Sequence, residues 1–272
     1  MKRSLGFSLL ALALIALASG AVLAQKKSSF DCRDGWWYGG RFQNHCEIRE
    51  QTVAAGGPIT VDAGRNGGIS VKGADRNDVL VRARVQTAAL SESEADELAK
   101  QIQIETTALR IHANGPEQRR DFNWSVSFEI FVPRRSSLSL AAQNGGISIA
   151  DVSGRIEFSC VNGGVVLRRV GGSVHGGTTN GGLVVELSGD RWDGEELDVK
   201  TTNGGVTMSV PESYSAHLET GTVNGNVSVD FPVTVQGRIT KEISVNLGSG
   251  GATVRAMTTN GGVRLTRSSA NY

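Results

Sequence analysis

One short turn recurs along the sequence: an asparagine, a glycine, in all but one copy a second glycine, and then two apolar residues separated by one position. The turn starts at seven asparagines, which are Asn66, Asn144, Asn162, Asn180, Asn203, Asn224 and Asn260. It explains much of the glycine content, 35 of 272 residues, which is roughly twice the usual share. Collagen is excluded because it needs abundant proline, and the chain has only 5 prolines. The glycines therefore serve a folded, repetitive backbone.

The spacing of the turns predicts the fold class. Asn144, Asn162 and Asn180 are each 18 residues apart, so like strands superpose coil upon coil, and we predict an all-β parallel β-solenoid. A meander of β-hairpins uses the same Asn-Gly signal, but it needs strands of matched length on both sides of every turn. The last spacing is 36 residues, twice 18. We therefore predict one further coil whose turn has diverged, with Ile243-Ser244-Val245 as its strand.

Each residue of the turn has a predicted role. Asparagine and glycine tolerate a positive φ, so Asn-Gly can reverse the chain tightly, and the second glycine omits a Cβ atom where stacked backbones come close. The apolar residues would form an aliphatic ladder inside the coils, and its members are Ile147, Val165, Leu183 and Val206. The asparagines would form an outer column. There they either exchange amide hydrogen bonds or each adopt the left-handed conformation at their own turn.

Longer alternating strands and one helix precede the regular repeats, and we assign residues 51–135 to a cap over the first coil. Ser91-Glu92-Ser93-Glu94 has the spacing of a capping box, which predicts a helix over residues 95–101. A cap answers a physical need, because an open solenoid end exposes strand edges and apolar core. Residues 136–267 would form the solenoid and residues 268–272 a tail. Because the last turn lies close to the end of the sequence, we expect the far end of the stack to need other protection or a partner.

The first 24 residues have the composition of a secretory signal peptide. Lys2 and Arg3 precede an apolar run from Leu9 to Ala18, and Val22-Leu23-Ala24 provides a small-residue cleavage site. The run is too short to cross about 30 Å of hydrocarbon, so we favour cleavage over a membrane anchor. We predict export of the chain to the periplasm, the cell surface or the medium, with no transmembrane segment after cleavage.

The three cysteines suit an exported protein. Cys32 and Cys46 lie in the segment 25–50, and we predict a disulfide between them, which export permits. Zinc binding is the alternative because His45 adjoins Cys46, but two cysteines and one histidine do not complete a four-ligand site. Cys160 lies on an alternating strand pattern and is predicted to be a small buried residue.

Motifs for catalysis or cofactor binding are missing from the sequence. The four histidines form no metal spacing, and the glycine doublets precede strands, whereas phosphate and dinucleotide motifs open helices. We therefore predict no catalytic residue, no metal and no cofactor. After loss of Lys2 and Arg3, 28 minus 2 basic residues stand against 27 acidic ones. This net charge of −1 gives no reason to expect nucleic acid or an anionic membrane as a partner.

Two clusters have the residue types of a binding site. Five acidic residues surround Trp192, and they are Asp190, Asp193, Glu195, Glu196 and Asp198. They can bind a cation or a sugar, or act as acid and base in glycoside cleavage, or they form a solvated excursion between coils. Trp36-Trp37-Tyr38 either stacks on sugar rings or fills a small core beside the disulfide.

Two stretches carry a resemblance to a known family. They are Thr201-Thr202-Asn203-Gly204-Gly205, followed by Val210-Pro211, and Thr258-Thr259-Asn260-Gly261-Gly262-Val263. Together with the repeated turns, they resemble bacterial secreted proteins of an uncharacterised domain family described as candidate adhesins, with β-solenoid folds. The resemblance covers roughly residues 50 to 265. It implies a location in the envelope or on the surface, and it supplies no catalytic residues.

We therefore expect a non-enzymatic, exported structural or adhesion-type protein. Its rigid repetitive surface would bind an envelope polymer, a glycan or a protein surface through many weak contacts. A carbohydrate-binding module is the alternative, and a polysaccharide-cleaving enzyme on a β-helix scaffold is a further one.

Overall fold

The computed structural model describes residues 30–32, 40–232 and 241–268. The predicted signal peptide, the Trp36-Trp37-Tyr38 cluster and residues 269–272 of the predicted tail lie outside the described residues. Two ten-stranded sheets enclose one hydrophobic core. None of the helices in the described ranges has the length and the apolar character needed to cross a membrane.

Twenty strands, numbered in chain order, are divided equally between the two sheets. The first sheet contains β1 (Gln43–Ala54), β3 (Ile69–Ala74), β4 (Asp78–Ala89), β7 (Asn123–Pro133), β9 (Ile147–Ala150), β11 (Val165–Arg168), β13 (Leu183–Glu186), β15 (Val206–Val210), β17 (Val227–Val229) and β20 (Val263–Arg267). The second sheet contains β2 (Ile59–Asp62), β5 (Gln103–Glu105), β6 (Arg110–Asn114), β8 (Leu138–Asn144), β10 (Ser153–Asn162), β12 (Gly171–Asn180), β14 (Glu196–Asn203), β16 (Ala216–Asn224), β18 (Glu242–Leu247) and β19 (Thr253–Asn260). A short 3₁₀ turn spans Thr107–Leu109.

Each coil of the stack consists of a strand of the second sheet, the corner at the asparagine, and a strand of the first sheet. Strands in like positions are parallel, so that Val165 lies opposite Ile147 on one side and Leu183 on the other. Val206 continues this row, and all four side chains are buried. The predicted aliphatic ladder is confirmed, as is the prediction of an all-β chain with parallel strands and one helix.

The asparagine corners differ from the predicted tight turn. Neither the asparagines nor the glycines that follow them have a positive φ, because the chain passes from one sheet to the other and does not fold back as in a hairpin. The prediction that Asn-Gly reverses the chain is therefore wrong. The left-handed conformation lies instead at the opposite corner of the coils, at Asp151 (φ 60°) and Arg169 (φ 49°).

The first glycine of each corner, and not the second as predicted, is the one in closest backbone contact. A Cβ atom on Gly163 would lie 2.5 Å from the carbonyl oxygen of Gly145 in the neighbouring coil. A Cβ atom on the second glycine of a corner, Gly182, would lie 3.6 Å from the nearest atom, which is ordinary van der Waals contact. The first position is therefore sterically restricted to glycine. The second position is less restricted, with nearest atoms between 3.0 Å at Gly146 and 3.6 Å at Gly182.

The stacking order departs from the chain order in the C-terminal part. The sheets run β14-β19-β16 and β15-β20-β17, so the coil of Asn260 lies between those of Asn203 and Asn224. The residues 243–245 lie in β18, which pairs antiparallel with β16. The prediction of a diverged parallel coil there is therefore wrong. The end of the stack is formed by the coil of Asn224 and by β18, and not by the last coil of the chain as expected.

The predicted helix is confirmed as α1 (Glu92–Gln101), which begins at the capping box of Ser91 and Glu94. Its buried residues Ala95, Leu98 and Ala99 pack on the N-terminal strands. Thr87 of β4 donates a hydrogen bond to the carbonyl oxygen of Ala95 (2.7 Å). This contact fixes the helix to the first sheet.

The N-terminal strands extend both sheets beyond the coils. β1, β4 and β7 form an antiparallel unit, and β7 then pairs parallel with β3. In the second sheet, β6 pairs with β2, and β5 is the edge strand. The strands on either side of Asn66, β2 and β3, already pair with the coil of Asn144. The division of the chain into a cap and a solenoid at residue 136 stays a prediction.

Candidate functional site

The seven asparagines form one column along a corner of the stack, which we call the asparagine edge. Except at Asn66, each side-chain amide donates to the side-chain oxygen of the asparagine in the neighbouring coil. The nitrogen–oxygen distances are 3.3 Å from Asn144 to Asn66, 2.8 Å from Asn162 to Asn144, from Asn180 to Asn162 and from Asn203 to Asn180, and 2.9 Å from Asn260 to Asn203 and from Asn224 to Asn260. Of the two alternatives that the sequence left open, the structure therefore has the exchange of amide hydrogen bonds. Six of the seven asparagines are exposed, and Asn66 is half-buried.

A buried row of threonine hydroxyl groups lies directly beneath the asparagine edge, two residues before four of the seven asparagines. The threonine hydroxyls donate to the carbonyl oxygen of the first glycine in a neighbouring coil. These bonds run from Thr178 to Gly163 (2.8 Å), from Thr201 to Gly181 (2.8 Å), from Thr258 to Gly204 (2.7 Å) and from Thr222 to Gly261 (2.8 Å). Sequence reasoning missed this row, although its signal, a threonine at a fixed offset from the asparagine, is present. The row satisfies carbonyl groups that would otherwise be unpaired at the corner.

Cys160 occupies the same position in the coil of Asn162. Its sulfur lies 3.2 Å from the carbonyl oxygen of Gly145 and 3.3 Å from that of Gly163. The side chain is buried, as predicted, and burial raises the pKa of its thiol. The residue is therefore a structural member of the hydroxyl row and not a reactive thiol.

An exposed row lies between the hydroxyl row and the asparagine edge. Its members are Gln143, Val161, Thr179, Thr202, Thr259 and Val223. The two valines are 40% and 58% exposed, although they are among the larger apolar side chains. The row combines hydroxyl and methyl groups beside the amides, so the surface offers both hydrogen bonds and apolar contact.

The amides within the asparagine edge keep hydrogen-bonding capacity for a ligand. A primary amide has two N–H groups and two lone pairs on its oxygen, and the contacts along the edge use one of each. The coils repeat every ~4.8 Å. The edge therefore presents a straight, regularly spaced line of donors and acceptors, which is suited to an extended polymer with hydroxyl groups.

A shallow hollow on the outer face of the second sheet gathers charged side chains, and we call it the charged hollow. Its lining includes His175, Asp198, Lys200, Arg255 and Met257. The predicted acidic cluster is split by this arrangement. Only Asp198 of the five predicted acidic residues lines the charged hollow.

The contacts of His175 do not form a nucleophilic relay. Its Nε2 atom lies 3.0 Å from the hydroxyl of Ser173 and 3.5 Å from the carboxylate of Glu196. A serine–histidine–acid relay needs two different ring nitrogens for the two partners, whereas here both partners meet the same one. Ser173, His175 and Glu196 therefore make polar contacts on the sheet surface.

The tryptophan at the centre of the predicted acidic cluster is part of the core. Trp192 is buried, and its indole nitrogen donates to the carbonyl oxygen of Gly172 (3.0 Å). Asp190 lies 3.2 Å from the guanidinium of Arg191, which lowers the pKa of that carboxyl. Among residues 30–32, 40–232 and 241–268, no three histidine, cysteine or carboxylate side chains converge as a metal site.

The predicted disulfide between Cys32 and Cys46 is confirmed. The alternative of a zinc site is not supported by the neighbouring histidine, because the Nδ1 atom of His45 lies 2.6 Å from a carboxylate oxygen of Asp96 on α1. The disulfide and this contact together tie the N-terminal segment to β1 and to the helix.

Comparison with known proteins identifies a family. A family model described as Toastrack DUF4097 matches residues 53–266. No curated protein matches the sequence significantly.

Several solved structures are similar in part. One is a candidate cell adhesion protein from Clostridium sporogenes, with 12% identity, a TM-score of 0.40, and coverage of 82% of this chain and 100% of that chain. Another is a candidate adhesin from Bacteroides fragilis, with 10% identity, a TM-score of 0.32, and coverage of 82% and 97%. A candidate lipid-binding protein from Parabacteroides distasonis has 9% identity, a TM-score of 0.28, and coverage of 80% and 96%. Similarity at this level carries no argument about the ligand of this chain.

Proposed function

Because the chain belongs to the Toastrack DUF4097 family, we propose that it is a non-enzymatic, exported protein of the cell envelope that holds an extended polymer along the asparagine edge. The observation that carries the proposal is the continuous line of exposed amides. A polymer can contact many coils at once, and the binding energy then adds up from weak, equally spaced contacts. The role is that of an adhesion-type or structural protein.

Export is supported by two features. The sequence starts with a segment that has the pattern of a signal peptide, and the Cys32–Cys46 disulfide belongs to an oxidising compartment. The periplasm, the cell surface and the medium are all oxidising enough to permit a disulfide. Fractionation of cells that produce the full chain, with blotting of each fraction, tests the proposal, and recovery of uncleaved protein from the cytoplasm alone would contradict it.

Rigidity supports the presentation of a surface. The strands on both sides of each corner are buried on their inner faces, and the corners are tied together by backbone, hydroxyl and amide hydrogen bonds. A surface of this kind loses little conformational entropy when it binds a ligand. Weak individual contacts therefore suffice to bind a polymer.

The test places bulky, uncharged side chains beside the asparagine edge. In one variant, Thr179, Thr202 and Thr259 are each replaced by tyrosine, which suits a strand but covers the amides. The matched control carries Ser70→Tyr, Ser148→Tyr and Thr207→Tyr, on the outer face of the first sheet. The probes are isolated cell envelopes and a panel of immobilised neutral and charged polysaccharides.

We expect the edge variant to lose binding by roughly 10-fold or more and the control to bind like the wild type. Circular dichroism and thermal unfolding verify that both variants are folded. Equal losses in the two variants, or no binding of the wild type to any probe, would overturn the proposal.

A carbohydrate-binding module is the second candidate, and the charged hollow favours it. Lys200 makes no ion pair within the part of the chain that the structure describes, so its ammonium group is open to a ligand, and Met257 supplies an apolar floor beside it. The variant Lys200→Met separates the two sites. If this variant loses polysaccharide binding and the tyrosine variant at the edge does not, the charged hollow is the binding site.

The same variant tests for polysaccharide cleavage. We expect no release of new chain ends from any polysaccharide of the panel. Cleavage by the wild type that disappears in Lys200→Met and in Arg255→Met would show an enzyme and contradict the non-enzymatic role.

A further inference from the structure

A second hollow lies at the first-coil end of the asparagine edge, and its lining includes three arginines. Arg65 directly precedes Asn66, the first residue of the edge, while Arg119 and Arg120 lie in the connection between β6 and β7. The lining also includes Gln118 on the same connection, Asn123 at the start of β7, and Asn66 and Asn144 of the asparagine edge. We call this place the arginine hollow.

The connection is fixed against the edge by polar contacts. The amide of Asn66 donates to the side-chain oxygen of Gln118 (3.3 Å), and the amide of Gln118 donates to the carbonyl oxygen of Trp124 (2.7 Å). The indole nitrogen of Trp124 donates in turn to the carbonyl oxygen of Pro116 (2.8 Å). The amide line of the edge therefore continues into the connection that carries two of the arginines.

Within the described residues, the three arginines differ from most other arginines in having no ion pair with a carboxylate. Ten arginines of the described ranges form ion pairs with aspartate or glutamate, and they are Arg49, Arg76, Arg82, Arg134, Arg155, Arg168, Arg169, Arg191, Arg255 and Arg264. In the same ranges, Arg65 and Arg120 have no ion pair, and Arg119 contacts only the ring face of Phe122 among charged or aromatic groups.

Carboxylates near these arginines in sequence do not line the arginine hollow. Asp62 lines the adjoining hollow together with Arg65 and accepts a hydrogen bond from the backbone nitrogen of Gly64 (2.8 Å). Asp121 lines a separate pocket beside α1 with Leu98. Glu117 is exposed and does not line the arginine hollow. Three like charges around one hollow create a positive potential that an anionic ligand would neutralise.

The chemistry of the lining selects the ligand. Guanidinium groups bind carboxylate, sulfate and phosphate groups through paired N–H donors. The amides of Asn123 and of the asparagine edge suit hydroxyl groups. A polymer that carries both anionic groups and hydroxyl groups is an acidic polysaccharide.

Two other anionic partners fit the arginine hollow less well. Single-stranded nucleic acid binds through exposed aromatic rings on which bases stack, and the nearby Phe122 and Trp124 are only half-exposed, with Trp124 engaged by Pro116. A membrane surface calls for apolar side chains that insert beside the basic ones, and the lining of this hollow is polar.

We propose that the arginine hollow anchors an acidic polysaccharide by its anionic groups, and that the chain of this polymer continues along the asparagine edge. The proposal rests on the function proposed above and specifies the ligand class. It also assigns a direction to binding, because the charge lies at one end of the edge.

The test uses a fluorescently labelled linear polyuronate and a uronate dimer as probes. The site variant carries Arg65→Gln, Arg119→Gln and Arg120→Gln. The matched control removes the same charge elsewhere through Arg134→Gln, Arg155→Gln and Arg264→Gln, whose side chains are exposed to a similar degree. A third variant replaces the three arginines of the hollow by lysine and keeps the charge.

At low salt, we expect the site variant to bind the polyuronate roughly 10-fold more weakly than the wild type and the control to change by less than about 2-fold. The lysine variant should lie between them, because the charge remains and the paired donors are lost. The uronate dimer should respond to the arginine variant but not to the tyrosine variant at the edge, since it is too short to reach Thr179. Equal losses in the site variant and the control would overturn the proposal.

The outcomes separate this proposal from the function proposed above. Edge-dependent binding of a neutral polymer, with no binding of polyuronate, would overturn the anchoring site and leave the polymer-holding role intact. Tighter binding of inorganic phosphate, an anionic vesicle or single-stranded RNA than of polyuronate would also overturn the ligand class. Loss of all polymer binding would overturn both proposals.

Discussion

The regular part of the stack, with corners at Asn144, Asn162 and Asn180, and the C-terminal part reach the same geometry along different chain paths. In the regular part every new coil is added beside the last one. In the C-terminal part the coil of Asn260 is inserted between two coils that precede it in the sequence. The amide hydrogen bonds of the edge are nevertheless 2.8 Å in one part and 2.9 Å in the C-terminal part. The geometry of a corner is therefore a local property, independent of the order in which the chain supplies the coils.

The one corner with a different sequence marks the end of the stack. The second glycine of each corner faces the next coil, as Gly205 faces Gly262 and Gly262 faces Asn226. In the part of the chain that the structure describes, the coil of Asn224 has no further coil beyond it in the first sheet, since β17 is the edge strand. A side chain larger than a methyl group has room only where no coil follows, and this is where Asn226 replaces the second glycine. The departure from the repeat at Asn226 therefore follows from the position of this corner at the end of the stack.

The largest effect should come from adding one methyl group at the first glycine of a corner. Gly181→Ala would overlap the backbone of Gly163, and Gly261→Ala that of Gly204. We expect each variant to lose about 3 kcal/mol of unfolding free energy, because the overlapping atoms are backbone atoms of the neighbouring coil and not a flexible side chain. If the corners are local units, Gly181→Ala in the regular part and Gly261→Ala in the C-terminal part should lose similar amounts of unfolding free energy in denaturant titrations.

The second glycines supply the matched controls. A Cβ atom on Gly182 would lie 3.6 Å, and one on Gly262 3.5 Å, from the nearest atom. Gly182→Ala and Gly262→Ala should therefore stay within about 0.5 kcal/mol of the wild type. Equal losses at first and second glycines would show that the steric argument is wrong, and a loss confined to Gly181→Ala would show that the two parts of the stack are not equivalent.

The two parts also differ in how far the sequence predicts them. The 18-residue spacing and the apolar positions predict the coils and the aliphatic ladder, because periodicity encodes which residues face inward. The spacing does not predict which coil lies beside which, since parallel coils with equivalent corners can pair in more than one order. The spacing of 36 residues before Asn260 therefore predicts a diverged coil, whereas the intervening segment contains the antiparallel strand β18. The sequence does contain one clue to the order, which is Asn226.

The arginine hollow is not predictable from local patterns. Arg65 and Arg119 are far apart in the sequence, and they meet only because the connection after β6 returns to the first coil. The disulfide and the capping box of α1 were predictable because each depends on neighbouring residues or on compartment chemistry. Long-range convergence of like charges has no such signature in a single sequence.

Removal of single asparagines should distinguish the middle of the edge from its end. Asn180 donates to Asn162 and accepts from Asn203, whereas Asn224 only donates to Asn260. We expect Asn180→Ala to cost about 1 kcal/mol and Asn224→Ala about half of that, because the groups are exposed and water replaces the lost bonds. Both values are measurable by thermal unfolding. Equal costs would indicate that the asparagines act through the backbone of their corners and not through the amide ladder.

A smaller effect, a gain in unfolding free energy, is expected at Cys160, where the regular part of the stack has no threonine in the hydroxyl row. Cys160 is a weak donor at a position that is threonine in four other coils. Cys160→Thr should raise the unfolding free energy by about 0.5 kcal/mol, because a hydroxyl donates a stronger bond to the glycine carbonyl. Cys160→Val has nearly the shape of threonine and serves as control. If valine stabilises the protein as much as threonine does, the effect is packing and not hydrogen bonding.

The smallest expected effect concerns the corner opposite the asparagine edge, and it depends on pH. Asp151 and Arg169 occupy equivalent left-handed positions in successive coils and form a two-fold ion pair at 2.6 and 2.8 Å. The hydrogen bonds from Arg169 hold the pKa of Asp151 below its usual value. A carboxyl whose pKa is lowered by folding stabilises the native state above its unfolded pKa of about 4. That contribution disappears as the pH falls through the folded pKa.

We therefore expect Asp151→Asn to lower the unfolding free energy at pH 7 by roughly 0.3 kcal/mol, a small value because solvent screens the partly exposed pair, and to leave it unchanged at pH 2. Asparagine tolerates the left-handed conformation, so the backbone should be preserved. Repeating the substitution in an Arg169→Gln background completes a double-mutant cycle. The pH dependence of the difference should vanish there, and its persistence would assign the effect to another partner of Asp151.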